Sequence, residues 1–181
     1  MEKGYLQIYT GNGKGKTTAA LGLALRALGA GLSVYVGQFI KGMRYSEIRA
    51  LDELAAIFKR RDGSPALEVR QFGRGCFIRR EPEPADIEAA REGLEAARKA
   101  MLSGNYDLVI LDELNVAVSI GLISESEALA FAGKRPAAVE LVLTGRGAPD
   151  ALIQAADLVT EMREVKHYYA RGVEARKGIE S

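Results

Sequence analysis

The chain has almost no cysteine or histidine and no tryptophan: its 181 residues include one cysteine and one histidine. The single cysteine, Cys76, cannot form an intramolecular disulfide, and a zinc site built from two pairs of cysteines is excluded. Because His167 is the sole histidine, a Ser-His-Asp or Cys-His mechanism is confined to one position. We therefore do not expect covalent acyl chemistry.

An excess of charge of one sign and a long apolar run are also missing. Lysine and arginine total 25 against 24 acidic residues, which gives a net charge of +1, and the two signs are interspersed. This balance lacks the basic patch that binds nucleic acid or an anionic bilayer. No run approaches the length of a membrane span, and Met1 leads directly into the strand-like YLQIYT rather than a signal peptide. We therefore expect a cytoplasmic protein without nucleic-acid or membrane partners.

The organisation along the chain is typical of an α/β protein. Short apolar runs rich in β-branched residues alternate with longer helical patterns, which predicts a parallel sheet with crossover helices, and we expect one domain over residues 1–181. Strands are predicted near Tyr5–Tyr9, Ser33–Gln38, Leu67–Gln71, Asp107–Leu111, Ala138–Leu143 and Leu158–Glu164. Helices are predicted from Lys16 to Gly29 or Gly31, over Ser46–Lys59, from Pro84, from Ser124 with Glu127 completing a capping box, and over Pro149–Ala156.

Two segments fall outside this alternation: residues 72–83 and the tail from Lys166 onward. Glycine, arginine and aromatic residues are frequent in both. A solvated loop and a fraying terminus explain them as well as binding roles do, because loops held by a rigid sheet often carry function. Both interpretations stay open from the sequence.

A glycine-rich loop follows the first strand, in YTGNGKGKTTAALGLALRALGAG, residues 9–31. A strand, a glycine-rich turn and Lys-Thr at a helix start form a cradle for a phosphate chain, since free amides and the helix dipole attract an anion. We expect Gly11, Gly13 and Gly15 to let phosphate approach, Lys16 to contact its oxygens and Thr17 to face magnesium. The position that is usually the first glycine holds a threonine here, so the loop is a compact variant.

An acidic pair ends the apolar strand of YDLVILDEL, residues 106–114. Asp112 and Glu113 would lie at the carboxyl edge of the sheet, where carboxylates can hold magnesium beside Thr17. We expect Glu113 to be the closer ligand. Capping of the following turn is an alternative role for one of the two acids.

The segment LVLTGRG, residues 141–147, repeats this geometry at another strand end. The turn formed by Thr144, Gly145 and Gly147 would place Arg146 over the same edge, where a guanidinium suits phosphate oxygens. A surface arginine in an ordinary turn is the alternative. The residues alone predict a polyphosphate site but identify neither a water-orienting residue nor a base, so the reaction is left open.

Five segments together resemble one family: TGNGKGKTTAALGLALRALGAG, VGQFIKG, LVILDEL, LTGRG and EVKHYYARGVEARKGIE. In this order and spacing they are similar to the ATP:corrinoid adenosyltransferases, the cob(I)yrinic acid a,c-diamide adenosyltransferase family, over nearly the whole chain. The resemblance implies a P-loop NTPase-like (RecA-like) α/β fold, with a mostly parallel sheet of about six strands and helices on both faces. It also implies transfer of the 5′-deoxyadenosyl group of ATP to the Co(I) centre of a reduced corrinoid, with release of triphosphate.

Site residues are implied by the same resemblance. ATP would bind in a reversed orientation, which suits the compact loop, and Lys16 with Arg146 would stabilise the triphosphate. The magnesium ligands would be Thr17 and Glu113, with Asp112 beside them. The nucleotide-binding set is Gly11, Asn12, Gly13, Lys14, Gly15, Lys16, Thr17, Thr18, Gly145 and Arg146.

The corrinoid side departs from the family pattern. Relatives place a phenylalanine and a tryptophan two residues apart before the third helix, and those positions correspond to Cys76 and Ile78 here. Phe72 or Phe77 would have to substitute, and His167 is a candidate for orienting a ligand. The corrinoid could be cobyrinic acid a,c-diamide, cobinamide or cobalamin. A homodimer and a flavodoxin-like reductant are further implications of the resemblance.

Two other functions are compatible with parts of the sequence. The loop and the acidic strand alone would equally suit a P-loop kinase or ATPase that transfers the γ-phosphate of ATP. A recombinase-like, nucleic-acid-stimulated ATPase would share the sheet architecture, but the balanced charge argues against it.

Overall fold

The computed structural model describes residues 2–75 and 81–180, which form a six-stranded sheet flanked by helices. Its strands are β1 (Leu6–Thr10), β2 (Val34–Lys41), β3 (Leu67–Gly75), β4 (Leu108–Asp112), β5 (Glu140–Thr144) and β6 (Leu158–Glu161). Its helices are α1 (Lys16–Gly29), α2 (Ser46–Ile57), α3 (Pro84–Leu102), α4 (Leu114–Ser119), α5 (Glu125–Gly133) and α6 (Asp150–Ala155). A 3-10 turn follows over Tyr168–Arg171.

All strand pairs are parallel, in the order β3-β2-β4-β5-β1-β6. The register pairs Tyr9 with Thr144 and Gln38 with Asp112. Parallel strands present their carboxyl ends at one edge, so the loop after β1 and the ends of β2, β4 and β5 meet there. The predicted α/β fold with a six-stranded parallel sheet is confirmed.

Apolar side chains fill both faces of the sheet. Alanines of α1, with Ile48 and Leu51 of α2, pack on one face against Val34, Ile110 and Val142. The opposite face is covered by side chains of α3, α4, α5 and α6, which pack on Tyr35, Phe39, Leu111 and Leu143, among others. Helices thus lie on both faces, as predicted. Within the described ranges, no helix has the length and apolar content to cross a bilayer.

Several element boundaries differ from the sequence predictions. β2 and β3 continue to Lys41 and Gly75, beyond their predicted ends, whereas β6 stops at Glu161. Helix α4 was not predicted, because it follows β4 after a single residue and is only six residues long. The capping box of α5 is confirmed: the Glu127 amide donates to Ser124 Oγ at 3.2 Å, and the Ser124 amide donates to Glu127 Oε2 at 2.8 Å.

Helix α3 packs closely on β3 at Gly93. A Cβ atom on Gly93 would lie 2.7 Å from Phe72 Cγ, well inside van der Waals contact. We predict that Gly93→Ala lowers the free energy of unfolding by about 1–3 kcal/mol, because overpacking outweighs the better helix propensity of alanine. Urea unfolding would measure this change.

A matched control is Gly22→Ala in α1, where an added Cβ would have no heavy atom within 4 Å. There, the substitution should stabilise by about 0.4–1 kcal/mol through the unfolded state. Equal stabilisation of both variants would show that Phe72 moves aside without cost.

Candidate active site

Lys16 occupies the centre of the glycine-rich loop. Its Nζ donates to the carbonyl oxygens of Gly11 and Gly13, both at 2.7 Å, and the residue is only 7% exposed. Burial lowers the pKa of Lys16, as does the nearby Arg146 charge, while Glu113 and Asp112 act in the opposite direction. The loop therefore surrounds a desolvated ammonium group, whose attraction for an anion is stronger than in water.

Two positions of the loop require glycine for a structural reason, in addition to allowing phosphate to approach. The chain after β6 crosses the loop, where the Met162 amide donates to Thr10 O at 2.8 Å and the Gly13 amide donates to Met162 O at 2.7 Å. A Cβ atom at Gly11 or Gly13 would lie 2.5 or 2.7 Å from that Met162 oxygen. Since the Gly13 amide is bonded to Met162, fewer loop amides point at a ligand than the sequence pattern suggests.

Asp112, at the end of β4, joins the first turn of α1 to the ends of β2 and β5. This fully buried carboxylate accepts two hydrogen bonds on Oδ1, from Thr17 Oγ1 at 2.8 Å and Thr144 Oγ1 at 2.7 Å. Oδ2 accepts from Lys41 Nζ at 2.9 Å and Gln38 Nε2 at 3.2 Å. Four donors on one buried carboxylate make Asp112 the polar centre of the sheet edge.

Glu113 follows with a strained backbone. Its φ of 62° lies in the left-handed region, which costs a residue other than glycine about 1–3 kcal/mol and is common at functional sites. The Glu113 amide donates to Thr144 Oγ1 at 3.1 Å. Burial raises the pKa of Glu113, as does Asp112, whereas Lys41, Lys16 and Arg146 lower it. Glu113 therefore lies within the field of three cations, but Asp112 is the acid that contacts Thr17.

Arg146 lies in the turn after β5, as predicted, and is exposed. Gly145 has a φ of 132°, and a Cβ atom there would lie 2.9 Å from the Val116 amide nitrogen. Asn115 supports the turn from below by donating to Gly145 O at 3.3 Å. The charge of Arg146 lowers the pKa of both Lys16 and Glu113.

Lys41 is a site residue that the sequence analysis missed. A β-bulge between Phe39 and Lys41, with Ile40 at a φ of 67°, turns the end of β2 so that Lys41 reaches Asp112. Burial alone would lower the pKa of Lys41, but the charge and hydrogen bond of Asp112 raise it above the usual value. The segment VGQFIKG contributes to the family resemblance, and its lysine followed by glycine at the end of an apolar strand was the available signal for a site residue.

Of the residues proposed to contact the corrinoid, the structure describes Phe72 and His167. Phe72 is 7% exposed, and its ring centroid lies 5.9 Å from that of Phe39, so Phe72 packs in the core. Its contact with a corrin stays a prediction. Phe77 lies outside the described residues, as do Cys76 and Ile78. His167 Nδ1 accepts from the Tyr169 amide at 3.0 Å within the tail.

The tail folds back over the glycine-rich loop. Lys14 Nζ donates to Ile179 O at 2.8 Å, Glu180 Oε1 at 2.9 Å and Tyr168 Oη at 3.3 Å. Glu180 also pairs with Arg176, and these hydrogen bonds hold the pKa of Glu180 far below its usual range. The side chain of Lys14, a residue expected to bind nucleotide, is thus bonded to the tail.

We predict that Glu180→Ala releases residues 166–180 from the loop, because Lys14, Tyr168 and Arg176 lose their common acceptor. Trypsin should then cleave after Arg171 and Arg176 faster than in the unsubstituted protein, with little change in Tm. Glu174→Ala, at an exposed position of the same segment, is the control. Unchanged cleavage in the Glu180 variant would mean that other contacts hold the tail.

The oxygen donors of the site suit magnesium. The Thr17 hydroxyl and the Asp112 carboxylate are hard ligands 2.8 Å apart, and Glu113 is adjacent. In the described part of the chain, no group of three or more acidic, histidine or cysteine side chains is arranged to hold a metal ion. Magnesium commonly uses one or two protein ligands and completes its shell with water and substrate phosphates, so the donor set fits.

Comparison with known proteins agrees on one family. Residues 2–181 match the family described as ATP:corrinoid adenosyltransferase BtuR/CobO/CobP. The chain is 39% identical to a corrinoid adenosyltransferase of Pseudomonas aeruginosa over 99% of its length and 84% of that protein. It is 35% identical to the corrinoid adenosyltransferase of Escherichia coli, covering 99% of this chain and 86% of that protein.

Two solved structures share the fold at low sequence identity. The flagellar accessory protein FlaH from Methanocaldococcus jannaschii aligns with a TM-score of 0.59 at 15% identity, covering 89% of this chain and 72% of FlaH. The RadB recombinase aligns with a TM-score of 0.51 at 14% identity, covering 92% of this chain and 77% of RadB. Both likenesses concern the fold alone.

Proposed function

The chain belongs to the ATP:corrinoid adenosyltransferase family, and from that premise we propose how its phosphate site serves the transfer of the adenosyl group from ATP to a corrinoid. Co(I) of a reduced corrinoid donates an electron pair to the 5′ carbon of the ribose. A cobalt–carbon bond forms, the carbon–oxygen bond breaks, and its electron pair leaves with triphosphate. No proton has to be removed, so the reaction needs no side-chain base.

The protein contributes placement and charge. Lys16 and Arg146 stabilise the negative charge that develops on the triphosphate, while residues 11–18 and Gly145 bind the nucleotide. The observation that carries this proposal is the buried Lys16 ammonium, held by Gly11 O and Gly13 O at 2.7 Å. Its partial desolvation makes its attraction for the leaving group stronger than that of a surface lysine.

Thr17 and Asp112 would hold magnesium, with Glu113 nearby. Their 2.8 Å contact supports Asp112, rather than Glu113, as the direct partner of Thr17. When bound, magnesium neutralises phosphate oxygens. The residues of the site keep these two ligands in register, because Thr144 and Gln38 fix both carboxylate oxygens of Asp112.

Partners and assembly complete the proposal. The corrinoid is cobyrinic acid a,c-diamide, cobinamide or cobalamin, the reductant is a flavodoxin-like protein, and the enzyme works in the cytoplasm as a homodimer. The edge strand β6 supports self-association, since Leu158 and Val159 are 45% and 40% exposed. Light scattering would measure the assembly.

The function is tested anaerobically with purified protein, Mg-ATP and chemically reduced cob(I)alamin. We expect a light-sensitive alkylcobalamin spectrum, with one triphosphate released per corrinoid. ADP or inorganic phosphate without a spectral change would reject the proposal and favour a P-loop kinase or ATPase.

A further inference from the structure

Lys41 contacts both residues proposed to bind magnesium. Its Nζ lies 2.9 Å from Asp112 Oδ2 and 3.5 Å from Thr17 Oγ1. A magnesium ion ligated by Thr17 at about 2.1 Å would therefore lie no more than about 6 Å from the ammonium group. In a site where Lys41 and Asp112 are both buried, these two cations would repel each other strongly and compete for the same carboxylate.

The backbone that positions Lys41 beside Asp112 is strained. Ile40 is a β-branched residue at a φ of 67°, where such residues are rarely found, and the β-bulge beside it interrupts the register of β2 with β3. The bulge also requires glycine on the neighbouring strand, since a Cβ atom on Gly73 would lie 2.4 Å from the Ile40 carbonyl. Strain of this kind persists where the surrounding structure enforces it and is concentrated at functional sites.

Both carboxylate oxygens of Asp112 accept hydrogen bonds, which limits how far the side chain can move when a cation binds. Thr17 and Thr144 occupy Oδ1, while Lys41 and Gln38 occupy Oδ2. Gln38 is itself held by Gln71, whose Nε2 donates to Gln38 Oε1 at 3.1 Å. Lys41 is the long, flexible member of this set, so it is the donor that can leave Asp112 without moving the sheet.

We propose that Lys41 is a tethered cation of the phosphate site. Without a divalent cation, Lys41 neutralises Asp112. When a divalent cation binds, it replaces the Lys41 ammonium group at Asp112, and Lys41 then donates to the phosphate chain. The inference rests on the proposed role of Thr17 and Asp112 as magnesium ligands. Asp112 thereby always faces a cation, and the ammonium group released from it faces the triphosphate. Lys41 is then a third cationic side chain for the leaving group, beside Lys16 and Arg146.

The test measures metal binding directly, without turnover. Mn²⁺ binding is followed by electron paramagnetic resonance for the unsubstituted protein and Lys41→Met, in the absence of nucleotide. We expect Lys41→Met to bind Mn²⁺ about tenfold more tightly or better, because the competing cation is gone. MgCl₂ should also raise the Tm of Lys41→Met by more than it raises that of the unsubstituted protein, since it restores a counter-ion to Asp112.

Two controls separate this role from a general loss of charge. Lys99→Met removes an exposed lysine 3.8 Å from Glu95 and should leave Mn²⁺ affinity unchanged. Lys41→Arg keeps a charge at the site and should bind Mn²⁺ no more tightly than the unsubstituted protein. If Lys41→Met does not fold, Lys41→Arg and the double variant Lys41→Met/Asp112→Asn carry the test, and the double variant should fold but gain no Mn²⁺ affinity.

Mn²⁺ binding in the presence of inorganic triphosphate tests the role of Lys41 separately from the magnesium site of Thr17 and Asp112. Binding by the unsubstituted protein with no change in Lys41→Met would overturn the role of Lys41 and keep that of Thr17 and Asp112. Tighter Mn²⁺ binding by Lys41→Arg or by the double variant would also overturn the inference. If Mn²⁺ and triphosphate bind to none of these proteins, the proposed metal site fails, and the inference fails with it.

Discussion

Lys16→Met is expected to lower kcat/KM for adenosyl transfer by about 10²- to 10³-fold, the usual effect of removing one charge-stabilising donor from an active site. Lys16 is buried in the loop and, in our proposal, stabilises the negative charge that develops on the triphosphate. Because the charge on triphosphate grows as the carbon–oxygen bond breaks, kcat should fall along with kcat/KM. Steady-state kinetics with Mg-ATP and cob(I)alamin would measure both parameters.

Lys14→Met is the matched control, because it removes a lysine two residues away in the same loop. Lys14 Nζ is bonded to Glu180 and Ile179 of the tail, so its loss should reduce kcat far less. A Lys16 variant with a raised KM for ATP and an unchanged kcat would assign Lys16 to ground-state binding alone. Equal losses in both variants would instead point to a general disturbance of the loop.

Asp112→Asn is expected to reduce the free energy of unfolding by about 3–5 kcal/mol, as breaking one side of a buried ion pair typically does. Asparagine keeps one acceptor oxygen and replaces the other with an NH₂ donor. Either Lys41 and Gln38, or the two threonines, would then face a donor. Lys41 would also lose its counter-ion. Thermal and urea unfolding would measure the loss, and adenosyl transfer should fall as well.

Asp62→Asn is the control for this substitution. Asp62 accepts from the Ser64 amide and hydroxyl in an exposed turn far from the site in the fold, and its replacement should change Tm little. If Asp112→Asn were as stable as the unsubstituted protein, the Asp112–Lys41 pair would not be the charged centre that the geometry indicates.

The parts of the site that could be predicted are those whose residues lie close together in the sequence. Residues 11–18 are contiguous, and their pattern of glycine, lysine and threonine predicts a phosphate loop, because each residue type acts locally on backbone geometry. The acids at 112 and 113 were predicted as site residues because they follow an apolar strand. The bond from Thr17 to Asp112 was not predicted, since it depends on how β4 and α1 pack.

Long-range contacts account for the features that were missed. Lys41 meets Asp112 across 71 positions, and Lys14 meets Glu180 across 166. No local periodicity reports such pairs. Helix α4 and the bulge at Ile40 were missed for a related reason, because both arise where packing overrides local propensity.

The sequence by itself determined the α/β class and the positions of the glycine-rich loop, the acidic strand end and the turn bearing Arg146. Each of these features depends on neighbouring residues whose spacing matches a single secondary structure. Only the tertiary structure decided which side chains share the site. The register of parallel strands and the path of the tail bring Lys41, Thr144 and Glu180 to the loop. These depend on burial summed over the whole sheet, and no short stretch of sequence encodes that sum.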